Sequence, residues 1–140
     1  MWIYTPEGFM SVVNKGDVDE DGKALLCVRS RYEGDLAGLK SFMSEFRNTD
    51  IEIEFTYRND YQCRVFVRKI DFMTYMAKLI GNLDYSNFKS KCANDSVFMD
   101  RESAMTGLGR IWATTYESFA GNHVFYHGED GEWNPEKEFL

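Results

Sequence analysis

Four arginines recur on two stretches of the chain that have the spacing of β-strands. In residues 60–68, Arg64 and Arg68 fall on one face, because the side chains of an extended chain point alternately to its two sides. An earlier apolar stretch ends in Arg29 and Arg31, again on one face. Guanidinium groups on neighbouring strands can converge on a phosphate or a carboxylate through paired hydrogen bonds. The sequence therefore predicts an anion site where the two strands meet.

Rings and polar groups near these arginines enlarge the predicted ligand site. Tyr61 lies shortly before the second pair of arginines and, with Phe66 and Tyr85, can stack on a base. Asn87 and Lys89 open a short predicted helix, and the N-terminus of a helix attracts anions. The residues predicted to bind a ligand are therefore Arg29, Arg31, Tyr61, Arg64, Arg68, Tyr85, Asn87 and Lys89.

A second interpretation explains the same residues without a ligand. Arginines on an exposed sheet face often pair with acids of adjacent strands, and such ion pairs contribute little to the stability of the fold. The acids available for this pairing are Glu52, Glu54, Asp60 and Asp84. In this interpretation the stretch after residue 84 is a helix cap, with Tyr85 and Phe88 in the core. The sequence leaves both interpretations open.

A polar loop, residues 14–22, holds a cluster of acidic side chains. Such a cluster can attract a basic partner protein. The alternation of acids is similar to the start of a calcium loop, but no helix precedes it and the bidentate glutamate that should end such a loop is missing. We therefore predict a partner-binding surface and no metal site at Asp17, Asp19, Glu20 and Asp21.

Sequence patterns of common enzymes and cofactor sites are absent. The chain has no P-loop, GxGxxG or GxSxG pattern. His123 and His127 have the four-residue spacing that brings side chains together on a helix, but their segment is β-branched and aromatic and has no further well-spaced ligand. We predict a protein that is not an enzyme and binds no cofactor or metal.

The cysteines and the hydrophobic pattern bear on the cellular compartment. The chain has three cysteines, Cys27, Cys63 and Cys92, an odd number that cannot all pair in disulfides within one chain. Their spacing is not that of metal ligands. The sequence shows no signal peptide, and no apolar run reaches the roughly 18 residues that span a bilayer. The expectation is a reduced, cytoplasmic protein without a membrane partner.

The net charge of −7 is concentrated at the two ends of the chain. Residues 1–28 carry five acids and two bases (−3), residues 29–110 twelve acids and thirteen bases (+1), and residues 111–140 six acids and one base (−5). Binding to duplex DNA requires a large basic surface, which this distribution does not supply. We predict no duplex DNA partner, whereas a small anionic ligand stays possible.

The hydrophobic periodicity predicts alternating short strands and helices. The expected strands cover residues 1–5, 9–13, 23–31, 51–55 and 60–68, and the expected helices cover 32–48, 71–80, 84–92 and 100–119. Asp71 is the expected N-cap of the second helix, and Gly81 is expected to end it in the left-handed conformation. Asp84 or Ser86 is the expected cap of the third helix. The spacing of apolar residues predicts a buried face on each of the first two helices: Leu36, Leu39, Phe42, Met43 and Phe46 on the first, and Phe72, Met73, Met76, Ala77 and Ile80 on the second.

The first two strands are expected to pair as an antiparallel hairpin, and so are the last two. Short strands joined by tight turns predict an α+β fold, in which an antiparallel sheet carries helices on one face as a two-layer sandwich. Residues 1–120 form its single domain, and 121–140 an acidic, mobile tail.

A combination of short pieces occurs along the chain in a fixed order. The pieces are Met1-Trp2-Ile3-Tyr4-Thr5-x-x-Gly8-Phe9-x-Ser11-Val12-Val13-x-Lys15, Val28-Arg29-Ser30-Arg31, Asp60-Tyr61-x-x-Arg64-Val65-x-Val67, Asp84-Tyr85-x-Asn87-Phe88-Lys89 and Ile111-Trp112. Together they resemble a family of short uncharacterised proteins encoded by bacteria and their phages, over residues 1–116. The family has no assigned activity, so the resemblance implies no chemistry. A phage setting implies a role in host takeover or anti-defence.

Three hypotheses about function follow from the sequence. The first is a non-enzymatic protein that docks on a host protein through its acidic loop, residues 17–21, and its acidic tail, residues 129–138. The second is a binder of a nucleotide or another small anion, which uses the arginines. The third is a binder of single-stranded RNA, whose bases would stack on aromatic side chains of the sheet.

Overall fold

The computed structural model describes residues 1–94 and 102–119. In this part of the chain, five strands form one antiparallel sheet and helices pack on it. In chain order, the elements are strands β1 (Trp2–Thr5), β2 (Gly8–Val13) and β3 (Leu25–Ser30), a 3-10 turn (Glu33–Leu36), helix α1 (Ala37–Arg47), strands β4 (Glu54–Phe55) and β5 (Cys63–Arg68), and helices α2 (Lys69–Gly81), α3 (Phe88–Asn94) and α4 (Glu102–Phe119). The predicted two-layer α+β fold is confirmed.

The strands lie in the order β1–β2–β3–β5–β4, and each neighbouring pair is antiparallel. Strand β3 pairs with β5 along its whole length, from Leu25 opposite Arg68 to Ser30 opposite Cys63. The prediction that these two arginine-bearing strands are neighbours is therefore confirmed. The predicted hairpin of β1 and β2 is also confirmed.

Strand β5 alternates between the core and the opposite face, as its sequence predicts. Val65 and Val67 are buried, whereas Arg64 and Phe66 are half-buried on the other face. Burial of apolar surface stabilises this arrangement and fixes the face that the arginines occupy. The core side chains that the 3-10 turn and the helices contribute include Leu36, Leu39, Phe42, Phe72 and Tyr75.

The helix predicted over residues 32–48 is divided in the structure. The 3-10 turn precedes α1, and Asn48 ends α1 in the left-handed conformation, with φ at 49°. Leu39 and Phe42 lie on the buried side of α1, as their spacing predicts. Phe46, which was expected on the same side, is 59% exposed and stacks on Phe42 instead.

Helix α2 begins and ends differently from the prediction. It starts at Lys69 without a side-chain cap, so the prediction of Asp71 as N-cap is wrong. Asp71 lies in the first turn, where it is buried and forms an ion pair with Arg47 of α1. Gly81 does not adopt the predicted left-handed conformation either. At the start of α2, the ion pair of Asp71 with Arg47 thus takes the place of the hydrogen bond that Asp71 was expected to accept from the backbone of its own helix.

The buried face of α2 is rotated from the predicted one. Phe72 and Tyr75 are buried, and Leu79 is partly buried against the core. Met73 and Ile80, which the prediction placed on the core side, are 55% and 67% exposed. These two groups of residues lie on different sides of α2. Phe72, Tyr75 and Leu79, which are spaced by three and four residues, form the side that packs against the core.

Two elements are shorter than predicted. Of the strand expected over 51–55, only Glu54–Phe55 pairs with β5, although the antiparallel pairing itself is confirmed. The helix expected over 84–92 begins at Phe88. The predictions for the tail, 121–140, and for a metal site at the two histidines within it lie outside the described residues.

Candidate functional site

A row of five side chains crosses the whole sheet on the face away from α1 and α2, which we call the open face. In this row each residue is the direct cross-strand neighbour of the next, because the strand registers place them opposite one another. The adjacent row, with Val12, Val28 and Val65, is buried in the core. From β1 to β4 the row on the open face is Trp2, Ser11, Arg29, Arg64 and Glu54.

Arg29 and Arg64, which we call the arginine pair, occupy the centre of this row. Nη2 of Arg29 donates a hydrogen bond to Oγ of Ser11 over 2.9 Å. The guanidinium carbon of Arg29 lies 4.6 Å from the centroid of the Tyr61 ring, within the range of a cation–π contact. Ser11 and Tyr61 are only 1% and 9% exposed, so Arg29 is held in a well-packed environment.

The arginine pair has unsatisfied hydrogen-bonding capacity. The Nε atoms of Arg29 and Arg64 are both buried and have no hydrogen-bond acceptor in the described part of the chain. No described carboxylate lies within ion-pair distance of either guanidinium group, although Glu54 is the next residue in the row. A buried donor without an acceptor costs about 1–3 kcal/mol, and a charged donor costs more. The arginine pair is therefore suited to bind an anion, which would supply the missing negative charge.

The other two predicted arginines are engaged by acids. Nη2 of Arg31 contacts both carboxylate oxygens of Asp60, over 3.0 and 3.1 Å. Arg68 forms ion pairs with Asp19 through Nε and with Asp21 through Nη2, the latter over 3.0 Å. The hydrogen bond that Arg31 donates to Asp60 raises the pKa of Arg31, and the one that Arg68 donates to Asp19 raises the pKa of Arg68.

Ion pairing therefore accounts for Arg31 and Arg68, whereas ligand binding by Arg29 and Arg64 stays a prediction. Arg31 has the partner that the ion-pair interpretation named, Asp60. Among the described residues, Glu52, Glu54 and Asp84 form no ion pair with an arginine, and Asp84 pairs with Lys91 instead.

Four aromatic side chains lie beside the arginine pair on the open face, and we call them the aromatic strip. Phe9 contacts each of the other three rings: it stacks on Tyr4 with centroids 4.7 Å apart, meets Trp2 edge-on at 6.0 Å and approaches Tyr61 at 6.2 Å. Trp2 at the end of the strip is 66% exposed. The strip thus leads from a ring that solvent can reach to the ring beneath Arg29.

Sequence reasoning did not assign Trp2, Tyr4, Phe9 or Ser11 to the site. The signal was present, because these residues alternate with core residues along the first hairpin. However, the register that brings Ser11 opposite Arg29 depends on the pairing of β2 with β3 across the acidic loop. Local alternation does not fix such a register.

Three predicted site residues make their described contacts away from the arginine pair. Tyr85 packs against Phe88, with centroids 6.2 Å apart. Oδ1 of Asn87 accepts the hydrogen bond of the backbone N–H of Ser90 over 3.0 Å, so Asn87 caps α3 where Asp84 or Ser86 had been expected to do so. The Lys89 ammonium group lies 5.1 Å from the centroid of the Trp112 ring.

The acidic loop, residues 14–22, is anchored to the sheet through Asp19. Its Oδ1 accepts hydrogen bonds from the backbone N–H groups of Asp21 and Lys23, both over 2.9 Å. The hydrogen bond from Lys23 and the contact with Arg68 lower the pKa of Asp19. Two of the four acids predicted to bind a partner are thus paired with Arg68, whereas Asp17 and Glu20 are exposed.

Comparisons with known proteins found no match to a protein-family model, a curated protein or a solved structure. In the described ranges, 1–94 and 102–119, no group of three or more His, Cys, Asp and Glu side chains is arranged to hold a metal ion. None of the described helices combines the length and the apolar character that crossing a membrane requires.

Proposed function

We propose that the protein binds a nucleotide on the open face of the sheet, with its phosphate on the arginine pair. The observation that carries this proposal is that Arg29 and Arg64 are direct neighbours and that no described carboxylate lies within ion-pair distance of either guanidinium group. Like charges opposite each other destabilise a sheet, and a bound anion removes this repulsion. Guanidinium groups match the geometry of phosphate oxygens through paired hydrogen bonds.

The aromatic strip supports a ligand that carries a planar base as well as an anion. Neighbouring strands lie about 4.8 Å apart, so the Cα atoms of Trp2 and Arg29, which are two strands apart, are separated by about 10 Å. The exposed Trp2 ring offers a surface on which a base can stack, and each stacked base contributes about 1–3 kcal/mol. A phosphate on Arg29 and a base on Trp2 would use the centre and one end of the row.

Isothermal titration calorimetry with purine and pyrimidine nucleoside monophosphates and triphosphates, in a buffer free of phosphate, tests the proposal. We expect Arg29→Ala and Arg64→Ala each to weaken binding by about tenfold or more. Arg58→Ala is the matched control, because Arg58 is an exposed arginine in the turn before β5 and has no ion pair among the described residues. This variant should bind as the wild type does.

The ligands themselves separate the alternatives. Binding of inorganic phosphate as tight as that of nucleotides would show that the arginine pair holds the anion and that Trp2 contributes no base stacking. A short single-stranded RNA that binds more tightly than any mononucleotide, with a steep dependence on salt, would instead favour the RNA hypothesis. Absence of binding of every nucleotide and of phosphate at about 1 mM would overturn the proposal.

Docking on a host protein in a phage setting, predicted from the acidic loop, stays a separate prediction. Asp17 and Glu20 are the exposed acids of the loop that form no ion pair among the described residues, since Asp19 and Asp21 are paired with Arg68. Native mass spectrometry after incubation in a host lysate would distinguish a bound protein from a bound small molecule. Neutralising Asp17 and Glu20 together should weaken such docking, and unchanged binding would contradict it.

A further inference from the structure

A groove of about 870 Å³ lies between the β1–β2 turn and the ends of α1 and α2. Its volume is in the range of small-molecule sites, about 300–1,000 Å³. Much of its wall is apolar and includes Ile3, Met76 and Leu79. The groove is separate from the arginine pair, since neither Arg29 nor Arg64 lines it.

Glu7 places a carboxylate in the wall of this groove. Its Oε2 accepts a hydrogen bond from the hydroxyl group of Tyr75 over 2.6 Å, and Tyr75 is only 1% exposed. Gly38 of α1 provides the space, because a Cβ atom at this position would collide with the Glu7 carboxylate. The hydrogen bond from Tyr75 of α2 thus holds the carboxylate, and the lack of a side chain at Gly38 of α1 leaves room for it.

Two described lysines, Lys78 and Lys91, line the groove, and their described contacts are with groups other than Glu7. The ammonium group of Lys78, which lines the groove, lies 4.5 Å from the centroid of the Phe46 ring. Lys91 also lines it and approaches the carboxylate of Asp84 to 3.4 Å. No described lysine, arginine or histidine lies within ion-pair distance of Glu7. The groove therefore combines an apolar wall with one negative charge that lacks a counter-ion among the described residues.

We infer that this groove binds a small organic cation, namely a protonated amine that carries an apolar body. The ammonium group donates hydrogen bonds to the Glu7 carboxylate, which uses one oxygen for Tyr75 and has further acceptor capacity. The apolar body lies against Ile3, Met76 and Leu79, where its burial adds to the affinity. This site is distinct from the arginine pair, although Tyr4 of the aromatic strip lines it, and it takes a ligand of opposite charge.

NMR titration of the full chain with n-hexylammonium chloride, and in parallel with n-hexanol, tests this inference. Glu7→Gln removes the charge but keeps an oxygen that accepts the Tyr75 hydrogen bond, so the fold is retained. We expect this variant to bind hexylammonium about tenfold more weakly than the wild type and to leave hexanol binding unchanged. Glu45→Gln, at an exposed position of α1, is the matched control and should bind as the wild type does.

Gly38→Ala provides a second test that leaves the charge in place. Alanine favours a helix over glycine, but its Cβ would displace the Glu7 carboxylate from Tyr75. We expect this variant to remain folded and to bind hexylammonium about tenfold more weakly. Equal binding of hexylammonium by the wild type and Glu7→Gln, or chemical shift changes confined to residues outside the groove, would overturn the inference. Absence of any shift change at about 10 mM amine would overturn it as well.

Discussion

Arg29 of β3 and Arg64 of β5 are direct cross-strand neighbours, so two guanidinium-bearing side chains project side by side from the open face of the sheet. Sheets usually place opposite charges or apolar groups at such positions, because like charges directly opposite each other are destabilising. No described carboxylate compensates either arginine within ion-pair distance. The unliganded protein therefore maintains this repulsion at some cost in stability.

The first prediction concerns this repulsion. Arg64→Gln should raise the free energy of unfolding in low salt by about 0.5 kcal/mol, because it removes one of two opposed charges. Added salt should stabilise the wild type more than the variant, since salt screens the repulsion. Urea denaturation at low and high NaCl measures both effects, with Arg58→Gln as the control for the general effect of one lost charge. A variant that is much less stable at low salt and has the salt dependence of the wild type would contradict the prediction.

The second prediction concerns Asp19, whose pKa is lowered by the backbone N–H of Lys23 and by Arg68. A carboxyl whose folded pKa is depressed contributes stability above its ordinary pKa and loses that contribution as the pH falls through the folded value. The attachment of the acidic loop should therefore persist at neutral pH and weaken only below the ordinary value of 3.8.

An NMR titration that follows the carboxyl group of Asp19 tests whether the hydrogen bond from Lys23 lowers the pKa of Asp19 more than Arg68 does. Arg68→Gln should raise the pKa of Asp19 only in part, because the hydrogen bond from Lys23 is the largest cause and remains. Arg58→Gln should leave the titration as it is in the wild type. Titration of Asp19 at its ordinary value in the wild-type protein would contradict the contacts that the structure shows.

Local alternation in the sequence was sufficient to predict the strands and the face of the arginines. The pattern of β5 alone places Val65 and Val67 in the core and Arg64 opposite them, because a pleated strand has a period of two. The pairing of β3 with β5 also followed, since both strands carry apolar cores and arginine-bearing ends. These features depend on short stretches of sequence.

Contacts between particular side chains that are distant in the sequence were missed, although the pairing of β3 with β5 was predicted. Asp71 has the residue type of an N-cap, but Arg47 of another helix holds it in the first turn of α2. The contacts of Asn87 and Lys89 follow from where α3 lies after the end of α2, and the sequence does not specify that position. The division of the four arginines into paired and unpaired ones likewise depends on the fold of the acidic loop, which brings Asp19 to Arg68.

The third prediction concerns the ion pair of Arg47 and Asp71, which joins α1 to α2. Asp71 is only 5% exposed, so removing its partner leaves a buried charge without compensation. Arg47→Ala should lower the free energy of unfolding by about 2 kcal/mol. Urea denaturation measures this loss, and the double variant with Asp71→Asn should recover part of it. Equal stability of Arg47→Ala and the wild type would show that the pair contributes nothing in solution.

The fourth prediction concerns Gly8, which begins β2 with φ at 142°, a conformation that side-chain-bearing residues rarely adopt. A Cβ at this position would also lie 2.6 Å from the Cα of Asp35, and backbone there has little freedom to move because Asp35 is buried and accepts a hydrogen bond from Ser30. Gly8→Ala should therefore lower the free energy of unfolding by about 3 kcal/mol, through backbone strain and the steric clash together.

Gly16→Ala is the matched control for Gly8. Gly16 also has a positive φ, 86°, but nothing lies within 4 Å of a Cβ built there, so only the backbone strain of about 1 kcal/mol applies. Urea denaturation of both variants separates strain from collision, since the difference between them reports the contact with Asp35. Equal losses in the two variants would mean that the β1–β2 turn can move away from Asp35, and that the position of Glu7 in the groove is less constrained than the structure indicates.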